Sequence, residues 1–280
     1  MTEKLTVKQL NDKARLLRAD VLAMLCKAGS GHPGGSLSSM DILTVLYNSI
    51  MNHDPKNPKW VDRDRFVLSK GHVCPAVYAV LADCGYFERK ELATLRQYGS
   101  ILQGHPYMGK TPGFDVSSGS LGQGLSIGVG MALAAKADKK DLRVYCLMGD
   151  GEQQEGQIWE AAMTAGQYKL DNLCGIVDYN GLQIDGCVAD VMSIAPLADK
   201  WAAFNWNTIL VDGHDVEALE RAFLEAKTYK EKPSVIIAHT IKGKGVSYME
   251  NVASWHGVAP NEAQLASALQ ELGCMEVELC

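Results

Sequence analysis

The chain has 280 residues, 47% of them hydrophobic and 21% charged, with a formal charge of −6. That balance excludes a general nucleic-acid grip, which needs a basic face. No apolar run reaches the length of a membrane span, and the N-terminus has no signal-peptide core, so no membrane association is expected. The eight cysteines (Cys26, Cys74, Cys84, Cys146, Cys174, Cys187, Cys274 and Cys280) form no CxxC pair. Several lie in apolar segments and read as reduced core residues, which predicts a cytoplasmic protein.

In chain order, residues 7–28 place apolar side chains three and four apart and end at Gly29, a helix with a C-cap. A second helix is expected over about 38–51. The Pro- and Asp-rich 52–65 is a surface connection, and RFVLSKGH a short strand entering a turn. Helices follow around 75–84 and 88–97. GSLGQGLSIGVGMALAAKA is a Gly-rich turn opening a helix of small residues. After it, LRVYCLM, NLCGIVDY, WNTILVD and PSVIIAH read as buried-type strands, with helices over 157–169 and 216–227 between them. The alternation predicts an α/β fold, a parallel sheet with helices on both faces, in a single domain over 1–280.

The informative stretch is GDGEQQEG…DYNGLQIDG. Asp150 stands between glycines at the carboxyl end of one strand and Asn180 before a glycine at the end of the next. Right-handed crossovers bring both to the same sheet edge, where open α/β folds bind ligands. A carboxylate, an amide and turn carbonyls make a hard-oxygen set suited to Mg²⁺. Either motif alone is equally a plain turn; the two on one strand–helix–strand frame are more specific.

GDG followed at this distance by Asn resembles the thiamine diphosphate-binding motif. The series SGHPG, SKGH, QGHP, GSLGQG, VDGHD, IKGKG and WHG resembles the N-terminal, diphosphate-binding domain of transketolases over roughly residues 10–265. The resemblance implies that Asp150, Asn180 and the Leu182 carbonyl ligate Mg²⁺, replaceable by Ca²⁺ or Mn²⁺. It implies that Gly151, Lys242 and His256 meet the diphosphate of thiamine diphosphate, and that Gly119, Ser120 and Leu121 line its cleft. His32, His72 and His105 match substrate-facing histidines, with His72 and His256 also near the cofactor; each alone could equally be structural. Glu155 matches an interface glutamate, or is an ordinary helix N-terminal charge. His53, His214 and His239 are read as structural.

The family's chemistry also needs a glutamate of a pyrimidine-binding domain and basic residues for the sugar phosphate. The chain reaches Cys280 without such a module, so it reads as one half of a split enzyme or as a piece cut from a longer chain; for the split enzyme the expected partner is a C-terminal subunit that carries the module, in an α2β2 assembly. With it, a two-carbon ketol unit would pass from a ketose phosphate to an aldose phosphate, as in the pentose phosphate pathway. The alternatives are a ketol transferase for an unusual sugar, an alpha-type subunit of another thiamine diphosphate enzyme, and a non-catalytic cofactor-binding subunit.

Overall fold

The computed structural model describes residues 5–275, 277 and 279. Helix α1 (Val7–Ala28) starts at a capping box, Thr6 with Gln9, and stops at Gly29, whose positive φ of 61° lets its N–H reach the Cys26 carbonyl at 3.1 Å. The next helical stretch begins earlier than the periodicity suggests, because Pro33 at its first turn sets φ and gives up an N–H that would be orphaned anyway. It runs as α2 (Pro33–Ser38), α3 (Met40–Val45) and one wider turn, Leu46–Ile50. Strand β1 (Arg65–Leu68) and α4 (Cys74–Asp83) follow. Only a short 3₁₀ turn, Arg89–Thr94, occupies the segment expected to be a helix at 88–97.

Then come α5 (Gln123–Ala137), β2 (Val144–Gly149), α6 (Gly156–Gln167) and β3 (Leu173–Tyr179). A two-residue hairpin, β4 (Leu182–Gln183) with β5 (Gly186–Cys187), leads through α7 (Val188–Val191) and α8 (Leu197–Ala203) to β6 (Asn207–Asp212). Helix α9 (Val216–Thr228), β7 (Ser234–His239) and α10 (Glu262–Glu271) complete the order.

The main sheet runs β1-β2-β3-β7-β6 with every neighbouring pair parallel. Alternation along each strand feeds two cores. Phe66, Leu68, Tyr145, Leu147, Ile176 and Ile236 face the layer of α1, α3, α4 and α9. Val67, Val144, Met148, Val177, Val235 and Ile237 face α5, α6 and α8. Helices thus cover both faces, as parallel strands require. The edge strand β6 departs from the buried reading: Leu210 is 60% exposed. Helix α5 lies close to the sheet because its small residues permit it; a Cβ on Gly124 would fall 2.4 Å from that of Ser69. Cys74, Cys146, Cys174 and Cys274 are buried, but Cys187 is exposed and Cys26 and Cys84 half-buried, so the core reading of the cysteines holds in part. Cys280 lies outside the described residues.

Candidate active site

Because the strands are parallel, the turns that follow β1, β2, β3 and β7 open on one edge of the sheet. They carry His72, Asp150, Asn180 and Lys242, and line a cleft of about 350 Å³. His32 enters from the start of α2, and His105 with Gly119 and Leu121 from the long segment before α5. Every residue singled out from the sequence lines this cleft except Ser120, which is exposed beside it. The Ser120 carbonyl accepts from Gln123 N at the start of α5, while Gly119 and Leu121 on either side of it reach the lining.

At one end are oxygens. Asp150 is 3% exposed, and its two carboxylate oxygens accept from Gly151 N at 2.7 Å and Gly181 N at 2.5 Å. Burial, and then the nearby Asp178 charge, push its pKa up to about 6. Asn180 Oδ1 accepts from Leu182 N, and the Leu182 carbonyl accepts from the Lys242 ammonium at 3.1 Å. Lys242 is itself 2% exposed; burial lowers its pKa to about 8, although Asp150 works the other way. Its Nζ lies 3.0 Å from His256 Nδ1.

At the other end are imidazoles. The rings of His32, His72 and His256 stand 5.0–5.4 Å apart, centre to centre. Burial first, and then neighbouring positive charge, hold them neutral: His32 and His256 are lowered to about 4 and His72 to about 2. His105 is lowered as well, by burial and Arg96. His32 Nδ1 is buried without a hydrogen-bond partner. Glu155 sits on the exposed rim.

Three residues that the sequence reading passed over, Asp178, Lys70 and Glu152, hold this arrangement. Asp178, fully buried, accepts from Ser38 Oγ at 2.6 Å, Ser39 Oγ at 2.9 Å, and also from Lys70, Thr240 and Asn180. Burial opposes its ionisation, yet the Lys70 charge and these hydrogen bonds prevail and lower its pKa. Glu152, 2% exposed, accepts from Gly122 N at 2.8 Å, Gly149 N at 2.9 Å and the Ser69 hydroxyl, and joins the α5 turn to the Asp150 turn. The available signal was an acidic residue inside an otherwise apolar strand, VDY, and a lysine, SKGH, at a strand's end.

The family described as "Transketolase, thiamine diphosphate binding domain" matches residues 6–278. The chain belongs to that family. It is 48% identical over 255 residues to one subunit of the apulose-4-phosphate transketolase of Phocaeicola vulgatus, covering 91% of this chain and 90% of that one. It is 46% identical to a 6-deoxy-6-sulfo-D-fructose transketolase subunit of a Clostridium species, with 94% and 96% covered. Mouse transketolase is 43% identical, but the match takes in only 42% of it. The crystal structure of Campylobacter jejuni transketolase superposes with a TM-score of 0.93 at 35% identity, covering 99% of this chain and 44% of that one. The chain thus corresponds to nearly all of the subunit-type relatives and to less than half of the single-chain transketolases.

Proposed function

We propose that residues 1–280 form a single diphosphate- and metal-binding domain, the thiamine diphosphate-holding half of a transketolase that a second chain completes. One observation carries the reading: a single cleft joins a hard-oxygen set and a buried lysine at one end to a cluster of neutral imidazoles at the other. The donors fit the group. Asp150, Asn180 Oδ1 and the Leu182 carbonyl would hold Mg²⁺, or Ca²⁺ or Mn²⁺ in its place, and that carbonyl already accepts from a cation. Gly151, His72, His256 and Lys242 would meet the diphosphate, with Gly119, Ser120 and Leu121 at the cofactor's flank. When bound, thiamine diphosphate supplies the thiazolium carbon that adds to the ketose carbonyl.

The chain's own contribution is orientation and proton handling. Held neutral, His32, His72 and His105 can each donate to one sugar oxygen and accept from another, and can take or return a proton there. Glu155, on the rim, suits a carboxylate contact with a second copy in an α2β2 assembly. The partner would bring the pyrimidine-binding domain and the groups that hold a sugar phosphate. Two similar subunits are named for apulose-4-phosphate and 6-deoxy-6-sulfo-D-fructose, which favours, as a second reading, a ketose outside the pentose phosphate set. A cytoplasmic setting suits buried thiols such as Cys74 and Cys146.

The test is native purification with Mg²⁺ and thiamine diphosphate, followed by a ketol-transfer assay over a panel of ketoses. A stoichiometric companion chain is expected, with transfer only when both are present. Robust turnover by this chain alone overturns the two-chain reading.

A further inference from the structure

The VDGHD motif lies in the turn after β6, outside the cleft lining, and its histidine has a specific employment. We propose that His214 is a positioning residue that holds Lys242 in the cleft by accepting the backbone N–H of Ile241. The inference rests on the proposed function for what Lys242 binds, but not for how Lys242 is held.

The His214 side chain is 13% exposed. Its Nδ1 is 2.6 Å from Asp41 Oδ2, and its Nε2 is 2.8 Å from Ile241 N. Asp41, on α3, is 4% exposed and is gripped by both ends of the Arg18 guanidinium, at 3.1 and 2.5 Å. Burial disfavours the ionised carboxyl, but the Arg18 charge prevails and keeps its pKa low. An ionised carboxylate can only accept and a backbone N–H can only donate. The ring must therefore carry its proton on Nδ1 and its lone pair on Nε2, and one tautomer satisfies both neighbours.

Ile241 immediately precedes Lys242. Beyond it, Gly243 N donates to the Gly34 carbonyl at 3.0 Å, so the loop is pinned on both sides of the lysine. Between those pins the Lys242 side chain is tightly confined: a Cβ on Gly34 would lie 3.0 Å from Lys242 Cε. A buried ammonium must keep its hydrogen bonds to remain charged, and those of Lys242, to the Leu182 carbonyl and His256 Nδ1, depend on where the loop sits. Arg18, Asp41 and His214 thus form a line from α1 through α3 to the cofactor loop, one residue from the lysine it orients.

Two variants separate the two hydrogen bonds of the ring. In His214→Asn the amide lies near the Nδ1 position, keeping Asp41 and releasing Ile241. In His214→Gln the amide oxygen lies near Nε2, keeping Ile241 and weakening the Asp41 contact. The full chain is pulsed with acetic anhydride and labelling of Lys242 is read by mass spectrometry against exposed Lys8; Mg²⁺–thiamine diphosphate is titrated calorimetrically; and urea midpoints record stability. Asn is expected to speed Lys242 labelling about fivefold or more and weaken cofactor binding by about tenfold, with Gln within about twofold of the parent on both. Equal effects of the two variants, or effects that follow the urea midpoints, overturn the proposal. If labelling separates the variants while the parent takes up no cofactor either alone or with its companion chain, the positioning role stands and the cofactor reading falls. Should neither variant fold, the ¹⁵N spectrum of the parent decides: a protonated Nδ1 on His214 is expected, and a protonated Nε2 overturns it.

Discussion

Lys242 and Asp178 are buried charges with opposite consequences when removed. The ammonium of Lys242 donates to two neutral partners, the Leu182 carbonyl and His256 Nδ1, and the nearby Asp150 carboxylate offsets only part of the cost of its burial, so its pKa stays lowered. Lys242→Met should therefore leave stability unchanged or raise it slightly, while weakening Mg²⁺–thiamine diphosphate binding about 10- to 100-fold, the worth of one charge-assisted contact. Paired urea denaturation and calorimetry check both halves. Asp178 differs because it balances the buried Lys70 and gathers donors from α2, from Ser39 at the α2–α3 junction, and from the turns after β1, β3 and β7. Asp178→Asn should cost about 3–5 kcal/mol, since Lys70 is left uncompensated. Adding Lys70→Met should recover part of that loss; a double variant no more stable than Asp178→Asn would show that the ion pair is not the reason.

At the scale of elements, Glu152 fastens the turn after β2 to the start of α5. Its Oε1 accepts from Gly122 N and the Ser69 hydroxyl, its Oε2 from Gly149 N. In Glu152→Gln the amide NH₂ must face a backbone N–H in either orientation, so about 1–3 kcal/mol should be lost. Cofactor affinity should fall with it, because the Asp150 turn shifts relative to Gly119 and Leu121; unchanged affinity at reduced stability would separate the clamp from the site. This clamp was not legible in the sequence, because GDGE alone does not reveal that its glutamate turns inward. The strands and long helices were legible, since parallel strands buried on both faces leave continuous apolar runs and α1 keeps a strict three-and-four spacing. Short elements were not. Each strand of the β4–β5 hairpin has two residues, below any period, and Arg89–Thr94 is held by its contacts with α1 and α4 rather than by a pattern of its own. Helix α10 carried a readable capping box, Asn261 with Gln264, that a search for apolar spacing passes over. The cleft was legible because Asp150, Asn180 and the histidine turns sit at strand ends, where topology alone gathers them. What topology cannot supply is which buried polar side chains brace those turns from behind, and these were Asp178, Lys70 and Glu152; His214 was legible as structural, but not the loop it ties down.

Over the whole molecule, the imidazole cluster makes stability depend on pH in a definite direction. His32, His72 and His256 are neutral in the folded chain down to about 4, 2 and 4, mainly through burial, whereas the same side chains titrate near 6.5 when unfolded. Between pH 6.5 and 4 these three side chains therefore bind more protons in the unfolded chain than in the folded one, so their contribution to folding stability rises with pH across this window and falls on acidification. The ionised Asp41, held by Arg18, adds the same sign at lower pH, because its folded pKa is also depressed and protonation favours unfolding. The buried carboxyls of Asp150, Glu152 and Asp20, whose pKa values burial raises, act the other way, so the histidine contribution is read as the pH slope of the urea midpoint in the parent less that in each His→Gln variant. Down to about pH 4.5, His32→Gln, His72→Gln and His256→Gln should each flatten that slope by a similar amount, and only His72, neutral down to about 2, should go on contributing below pH 4. His→Gln variants that keep the parent's pH slope between 6.5 and 4.5 would mean that the cluster is charged or solvated in the folded state, and would remove the argument that it meets a sugar as neutral imidazoles. Binding in the cleft adds a second, distinguishable effect. A ligand carrying a diphosphate and a divalent cation binds the folded chain alone and raises the midpoint by mass action. That rise should be largest near neutral pH, where Asp150 is ionised, and should shrink as Asp150 takes up its proton near pH 6.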